Sequence, residues 1–138
     1  MYVFIGSWGN SLNLLAGPYG IARLPMSRTV CVSDTYNHRI MYFVVGNANG
    51  TVIAGSNGKG INSSQLATPV DIQFDAPSNS ILIANCDGNN VIWWALGPSN
   101  WTLIADSSTG IGGCPRGVTT DPMGNIYIAD NGRHRIQF

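Results

Sequence analysis

Apolar positions along the chain occur in short runs that are separated by turn residues. Near the end, residues 118–121 and 126–129 are rich in β-branched, aliphatic and aromatic residues, and residues 121–125 between them read Asp-Pro-Met-Gly-Asn. Short runs of this kind around a turn that contains Pro and Gly are typical of a β-hairpin. A further apolar run begins at Ile136. The pattern therefore predicts three strands between residues 115 and 138.

The same pattern is written three times. Each copy begins a first run at a proline and ends a second run at an acidic or amide residue. The prolines are Pro18, Pro69 and Pro115, and the second runs end at Asp34, Asn85 and Asp130. Successive end residues are 51 and 45 residues apart, and a fourth run closes a copy at residues 14–17, 52–55 and 103–106. Four strands per copy at this period predict the blades of a β-propeller.

The predicted fold is an all-β, partial propeller of four-stranded antiparallel blades in one domain. With strands a to d counted from axis to rim, we expect strands c and d in residues 1–17, blades in 18–55 and 69–106, and strands a to c in 115–138. Closed propellers have about four to eight blades. The arc is therefore expected to need further blades or self-association to close. The expected core residues are Ile21, Val30, Val32, Ile72, Ile81, Ile83, Val118, Ile126 and Ile128.

The turn after the second run resembles the NHL repeat. Residues 33–40 read Ser-Asp-Thr-Tyr-Asn-His-Arg-Ile, and residues 129–136 read Ala-Asp-Asn-Gly-Arg-His-Arg-Ile. The middle copy departs from this motif, because Asn85 replaces the Asp while Asn89 and Asn90 replace the His and Arg. The resemblance implies a propeller fold. It does not imply one activity, since relatives include ligand-binding modules, RNA-binding domains and metal-dependent enzymes.

Composition narrows the function classes. The chain has seven acidic residues, all of them Asp, one Lys, 17 Gly and seven Pro, and its formal net charge is zero. Without Glu and with one Lys, the commonest residues of helix surfaces are missing, which favours an all-β chain. Nucleic-acid binders usually carry a basic excess, so nucleic acid is not an expected partner. No apolar run approaches the length of a membrane span.

Two groups of repeat residues suggest either chemistry or structure. They are Asp34, Asn37, His38 and Arg39 in the first copy, and Asp130, His134 and Arg135 in the third. Such residues could serve acid–base or metal chemistry, but an active site occurs once whereas these recur at a fixed repeat position. We therefore interpret the Asp as an acceptor for turn amides and a partner for Arg. No metal site and no cofactor are expected.

Asp71 is the candidate for an axial polar site. It stands where the other copies have Gly20 and Gly117, at the start of the innermost strand, so its side chain can be directed to the central channel. In enzyme relatives of this fold the axis carries the metal or the catalytic groups. The alternative is an Asp that bonds to nearby backbone.

The compartment is suggested by cysteines and sequons. Cys86 and Cys114 are expected on the same side of adjacent blades and are candidates for a disulfide, whereas Cys31 is expected to be a buried core residue. Asn49, Asn62 and Asn100 fit the N-glycosylation pattern. Together these features favour an extracellular or secretory location.

The sequence thus favours a non-catalytic module that binds or scaffolds a protein or peptide partner through its loops. One alternative is a fragment of a metal-dependent propeller enzyme resembling the amidating lyases or lactonases, for which Asp71 is the one hint. Another is the RNA- or partner-binding propeller of tripartite-motif ubiquitin ligases, which would need a basic face.

Overall fold

The computed structural model describes residues 7–25, 27–55, 57–97 and 101–138. Within these residues the chain forms strands connected by turns and loops, and the helical segments are two single 3-10 turns, η1 and η2. The strands are β1 (Pro18–Arg23), β2 (Thr29–Asp34), β3 (Arg39–Val44), β4 (Thr51–Ala54), β5 (Pro69–Asp75), β6 (Ser80–Asn85), β7 (Asn90–Ala95), β8 (Trp101–Ala105), β9 (Pro115–Thr120), β10 (Ile126–Asp130) and β11 (Arg135–Gln137), with η1 at Thr35–Asn37 and η2 at Asn131–Arg133.

The strands form three antiparallel sheets in chain order. The first sheet is β1–β4, the second is β5–β8 and the third is β9–β11. Equivalent pairs recur in register, with Ile21 opposite Val32, Ile72 opposite Ile83 and Val118 opposite Ile128. In the described chain no sheet closes on itself. The predicted all-β fold of open antiparallel blades is confirmed, with four strands in each of the first two sheets and three in the third.

The turn between strands b and c has one conformation in all three sheets. Its last residue lies in the left-handed region, with φ of 55° at His38, 51° at Asn89 and 52° at His134. Asn and His tolerate this conformation better than most residues. The amide of each of these residues closes the turn by donating to the carbonyl three residues earlier. The recurring His or Asn is therefore explained first by local backbone geometry.

The core lies between neighbouring sheets. One cluster joins the first and second sheets and includes Cys31, Ile40, Ile83 and Ile92. A second cluster joins the second and third sheets and includes Leu82, Val91, Val118 and Ile128. Strands a and b alternate their side chains between these two faces, as an internal sheet of a stack requires.

The predicted core was right for most residues. Val32, Ile72, Ile81, Ile83, Val118 and Ile128 are buried, while the half-buried Val30 and Ile126 pack against the clusters. Ile21 was predicted wrongly, since it is 67% exposed. Ile72 and Val118, its equivalents, are covered by the sheet that precedes each of them. The described residues contain no sheet in that place before β1.

The strand predicted near the start of the chain also differs. Residues 14–17 form no strand, and residues 1–6 of the expected pair lie outside the described residues. Leu15 makes an isolated bridge with Trp8, as Leu66 does with Lys59, so residues 7–17 repeat the connection at 58–68 rather than a strand d. The apolar residue at this repeat position packs under a loop and does not belong to a strand, since Leu66 and Ile111, the equivalents of Leu15, are buried under the connections.

Among the described residues no helix is long and apolar enough to span a membrane.

This packing predicts a contrast between two isoleucines. Ile83 is fully buried, so Ile83→Ala should lower the free energy of unfolding by about 2–5 kcal/mol. Ile21 faces solvent, and Ile21→Ala should change it by less than about 0.5 kcal/mol. Urea denaturation of both variants measures the two values. Equal losses would contradict the assignment of the two faces.

Candidate functional site: the loop face

One side of the stacked sheets carries the longest loops. It is formed by the turns between strands b and c and by the connections that lead from one sheet to the next strand a. We call this side the loop face, comprising residues 7–17, 35–38, 57–68, 86–89, 106–114 and 131–134. The repeat motif residues lie at its base, so their contacts decide whether they are free for chemistry.

Asp34 holds the first connection to the first sheet. One carboxylate oxygen accepts the amide of Ala16 at 2.6 Å. The other oxygen accepts from Asn37 Nδ2 at 2.8 Å and from Arg39 Nε at 2.6 Å. The Asp34 side chain is completely buried. Its oxygens are therefore used by the fold itself.

Arg39 extends this network into the connection. Its guanidinium donates to the carbonyls of Asn10, Ser11 and Leu14 at 2.8, 3.1 and 3.2 Å. Asn37 Nδ2 also donates to the carbonyl of Gly9 at 2.8 Å. The charged fork of Arg suits several acceptors at once. An irregular loop thus receives the hydrogen bonds that a strand would obtain from its neighbour.

The two other sheets repeat this contact. Asn85 Oδ1 accepts the amide of Ala67 at 2.7 Å, and Asp130 accepts the amide of Gly112 at 2.9 Å. Acceptor and donor are 18 residues apart in all three sheets. We call Asp34, Asn85 and Asp130 the acceptor residues.

The partner on strand c changes together with the acceptor residue. Asp130 pairs with Arg135 at 3.2 Å, as Asp34 pairs with Arg39. In the second sheet Asn85 Nδ2 donates to Asn90 Oδ1 at 2.9 Å. Both members of the pair thus depart from the motif together, because Asn85 replaces the Asp and Asn90 replaces the Arg. A neutral amide pair replaces an ion pair at the same place, and neither leaves a buried charge unpaired.

The left-handed residue of each b–c turn contacts the next sheet. His38 Nδ1 accepts the amide of Thr68 at 3.0 Å, and Asn89 Oδ1 accepts the amide of Cys114 at 3.0 Å. Both donors directly precede the proline that starts strand a. His134 occupies the third equivalent position and is exposed. His38 therefore acts in the structure as a neutral hydrogen-bond acceptor between blades.

Burial and two charged neighbours shift the pKa of His38. Burial is the main cause that lowers the pKa of His38, and the nearby Lys59 lowers it further, whereas Asp87 acts in the opposite direction. Lys59 Nζ lies 2.7 Å from Asp87 Oδ2. Hydrogen bonds from Lys59 and then from Thr68 lower the pKa of Asp87.

A disulfide joins Cys86 to Cys114 and reinforces the contact between the second and third sheets. The two residues are 28 positions apart. Closing a loop of this length restricts the unfolded chain and stabilises the fold by about 3–4 kcal/mol in the entropic model. Cys31 is buried in the core, and burial raises its pKa to about 12. It is therefore an unreactive packing residue.

Asp71 lies on the innermost strand and is bonded to the adjacent blade. Its Oδ2 accepts the amide of Val118 at 2.9 Å.

The first two blades make a different contact at this position, where Ser33 Oγ donates to the carbonyl of Val70 at 3.2 Å. Gly20 packs so closely there that an added Cβ would lie 2.9 Å from the Cα of Asp71. Among the described residues no three His, Cys or Asp side chains are grouped as metal ligands.

Above this base, the loop face presents two features that could bind a partner, and the strand residues Tyr19 and Leu103 adjoin them. The first is a groove of about 400 Å³ whose lining includes Ile61, Asn89, Leu103 and Asp106. The second is a cluster of exposed aromatic residues, Trp8, Tyr19 and Tyr36. Neither feature was predicted from the sequence, although the repeat alignment holds a signal for the cluster, since Trp8 and Tyr36 stand where the second copy has Lys59 and Asp87.

Of the predicted N-glycosylation sites, Asn49 and Asn62 are exposed, and Asn100 lies outside the described residues.

Comparisons with known proteins agree with this architecture. Residues 113–137 match the family model described as NHL repeat. The chain is 22% identical over 147 residues to NHL repeat-containing protein 3 of Mus musculus, a match that covers 97% of the chain and 41% of that protein. The chain thus spans less than half the length of this relative. The similarity to the NHL repeat expected from the sequence is confirmed.

Two solved structures share the fold. A streptogramin B lyase structure superposes with a TM-score of 0.60 at 15% identity, covering 88% of this chain and 39% of that one. A putative 6-phosphogluconolactonase from Bacteroides uniformis superposes with a TM-score of 0.54 at 16% identity, covering 80% of this chain and 33% of that one. At these identities the likeness concerns the β-propeller fold and not the activity.

The contact of His38 predicts a pH dependence. The pKa of His38 is lowered in the folded state. As the pH falls, His38 therefore takes up a proton in the unfolded chain before it does so in the folded chain. Its stabilising contribution should therefore be complete above about pH 6.5 and be lost as the pH falls through the lowered folded value. Urea denaturation between pH 8 and 5 should show this loss in the wild type and a smaller loss in His38→Asn. Asn is the matched replacement because Asn89 makes the same contact. Identical pH profiles would contradict the assignment.

Proposed function

We propose that this chain, which carries an NHL repeat at residues 113–137 and is built of β-propeller blades, is a non-catalytic module that binds a protein or peptide on its loop face. The observation that carries the proposal is the use of the repeat acidic residues by the fold. Asp34 and Asp130 are buried and bonded to a backbone amide and an Arg. These contacts hold the loops in place, and the loops present the surface.

The surface itself has the character of a protein interface. The groove between the connections is bordered by Ile61, which is 60% exposed, and Leu103, which is 41% exposed. Asn89 and Asp106 supply polar groups at its edge. Apolar anchors within a polar rim are the usual anatomy of a protein-binding patch.

The metal-dependent lyase or lactonase alternative would assign the axial charge to Asp71. Oδ2 of Asp71 accepts the Val118 amide, which leaves Oδ1 for a metal, but among the described residues no group of three His, Cys or Asp side chains could hold the ion. The alternative of an RNA-binding propeller would need a basic face. The chain has six Arg and one Lys against seven Asp, and Arg39, Lys59 and Arg135 are paired with Asp. Both alternatives therefore receive less support than protein binding.

We also propose that the chain functions in an extracellular or secretory compartment. A disulfide is stable where thiols are not kept reduced. The Cys86–Cys114 pair and the exposed Asn49 and Asn62 favour such a compartment.

A peptide library displayed on phage tests the proposal. Peptides selected on the immobilised chain should lose affinity at least tenfold for a loop-face variant, either Ile61→Asp or Trp8→Lys/Tyr36→Asp. They should bind unchanged to Met123→Asp, which alters an exposed a–b turn on the opposite side, and to Asp71→Asn, in which an amide oxygen still accepts the Val118 amide.

Two results would contradict the proposal. One is the recovery of peptides that bind all loop-face variants normally. The other is lyase or lactonase turnover that depends on a stoichiometric Zn²⁺ or Ca²⁺ ion and disappears in Asp71→Asn.

A further inference from the structure

The groove of the loop face lies at the repeat position where the second sheet lacks an arginine. Strand c begins with Arg39 in the first sheet and with Arg135 in the third, but with Asn90 in the second. Asn90 is one of the residues that line the groove. The second sheet packs against the first sheet on one side and the third on the other. The groove is therefore a feature of the middle blade and not of an uncovered end of the stack.

The two arginines fill the equivalent space in their own sheets. Arg39 donates to the carbonyls of Asn10 and Leu14 at 2.8 and 3.2 Å. Arg135 donates to the carbonyl of Gly110, the equivalent of Leu14, at 2.7 Å. The repeat thus directs a guanidinium from the start of strand c to the incoming connection.

The second connection keeps backbone acceptors for which its own sheet supplies no donor. With the offset of 51 residues, the equivalents of Asn10 and Leu14 are Ile61 and Gln65. Within the described part of the chain, neither the Ile61 carbonyl nor the Gln65 carbonyl accepts a hydrogen bond. Ile61 itself lines the groove.

Asn90 is too short to take the place of an arginine. It is 6% exposed, and its Oδ1 accepts from Asn85 Nδ2 at 2.9 Å. Its Nδ2 has no hydrogen-bond partner among the described residues. The groove above it has a volume of about 400 Å³, near the lower end of the range of about 300–1,000 Å³ for ligand pockets. This volume suits one long side chain and its immediate neighbours.

A carboxylate gives the groove its charge. Asp106 is the one ionisable side chain among the described residues that line it. Its Oδ1 accepts from the amide and the hydroxyl of Ser108 at 2.8 and 2.6 Å, and hydrogen bonds from Ser108 lower the pKa of Asp106. No described residue donates to its Oδ2. An ionised carboxylate with a free oxygen favours a cationic ligand.

The basic residues near the groove are placed elsewhere. Lys59 pairs with Asp87 at 2.7 Å, and Arg135 pairs with Asp130 at 3.2 Å. Arg133 packs against the connection that follows the second sheet, but it does not line the groove. The described chain therefore supplies no cation of its own to Asp106 within the groove.

We propose that the groove binds an arginine side chain from an extended segment of a partner protein. The guanidinium bonds to Asp106 Oδ2 and to the carbonyl of Ile61, while the apolar stem of the arginine packs on Ile61 and Leu103. Arginine suits the site better than lysine, because its planar fork can serve a carboxylate and a carbonyl at once. This inference rests on the proposed protein-binding function and assigns a ligand to its groove.

The repeat supplies the matched variant. Asn85→Asp/Asn90→Arg reproduces the pair of Asp34 and Arg39, so that the guanidinium of the chain itself occupies the place of the ligand. Its melting temperature, compared with that of the wild type, verifies folding.

A second groove variant and a control complete the set. Asp106→Asn removes the charge but keeps an oxygen for the hydrogen bonds from Ser108. Met123→Asp is the control, because Met123 is 84% exposed on the side opposite the loop face.

Fluorescence anisotropy with a fluorescein-labelled peptide, Gly-Leu-Arg-Leu-Gly, tests the site. A second peptide has citrulline in place of arginine, which keeps the shape and removes the charge. We expect the wild type and Met123→Asp to bind the arginine peptide equally, and at least tenfold more tightly than the citrulline peptide. Asn85→Asp/Asn90→Arg and Asp106→Asn should bind the arginine peptide at least tenfold more weakly than the wild type does.

Three results would overturn the inference. They are equal binding of the two peptides, unchanged binding of the arginine peptide to either groove variant once folding is verified, and no binding of it to the wild type. Library peptides that lack arginine and lose affinity for Ile61→Asp would then still support the proposed function.

Discussion

The buried carboxylate of Asp34 is the contact on which the arrangement of the first blade depends. It joins the end of strand b, the start of strand c and the incoming connection at one point, through the amide of Ala16 and the guanidinium of Arg39. The first connection forms hydrogen bonds of its own, from Gly9 to Leu15 and from Leu14 to Ser11, but the amide of Ala16 bonds to Asp34. Without this acceptor, that buried amide would be left unpaired at an appreciable free-energy penalty. The recurrence of this contact at 18-residue separation explains why the repeat retains an acceptor even where the charge is lost.

These buried contacts also separate the residues that stabilise the fold from the residues that are available for function. Apart from the exposed His134, the motif residues that look reactive in the sequence are bonded to the connection or to the next blade. Several residues that vary between repeats reach solvent, such as Trp8 against Lys59 and Tyr36 against Asp87. A blade can thus change its outer surface without altering the hydrogen bonds that position it. The same arrangement allows proteins of different activity to share the fold.

The sequence predicted the parts of the structure that are periodic. The strands, the inter-blade core and the structural interpretation of the acceptor residues follow from recurrence at fixed spacing. Ile21 could not be placed correctly, because its exposure depends on a neighbouring sheet and not on its own strand. Leu15 was misleading for another reason: a short apolar run fits a strand and a loop that buries one side chain equally well. The aromatic cluster joins three positions that are distant in sequence, so its contacts appear only when the connection is folded.

A double-mutant cycle on Asp34 and Arg39 tests the central claim most directly. Asp34→Asn leaves the Arg39 charge without its carboxylate, whereas Asp34→Asn/Arg39→Asn reproduces the amide pair of Asn85 and Asn90. The account predicts that the double variant is more stable than the sum of the single losses by about 1–3 kcal/mol. The same cycle on Asp130 and Arg135, whose Arg side chain is 44% exposed, should show weaker coupling. Losses at Asp34 and Arg39 that add within about 0.5 kcal/mol would contradict the account.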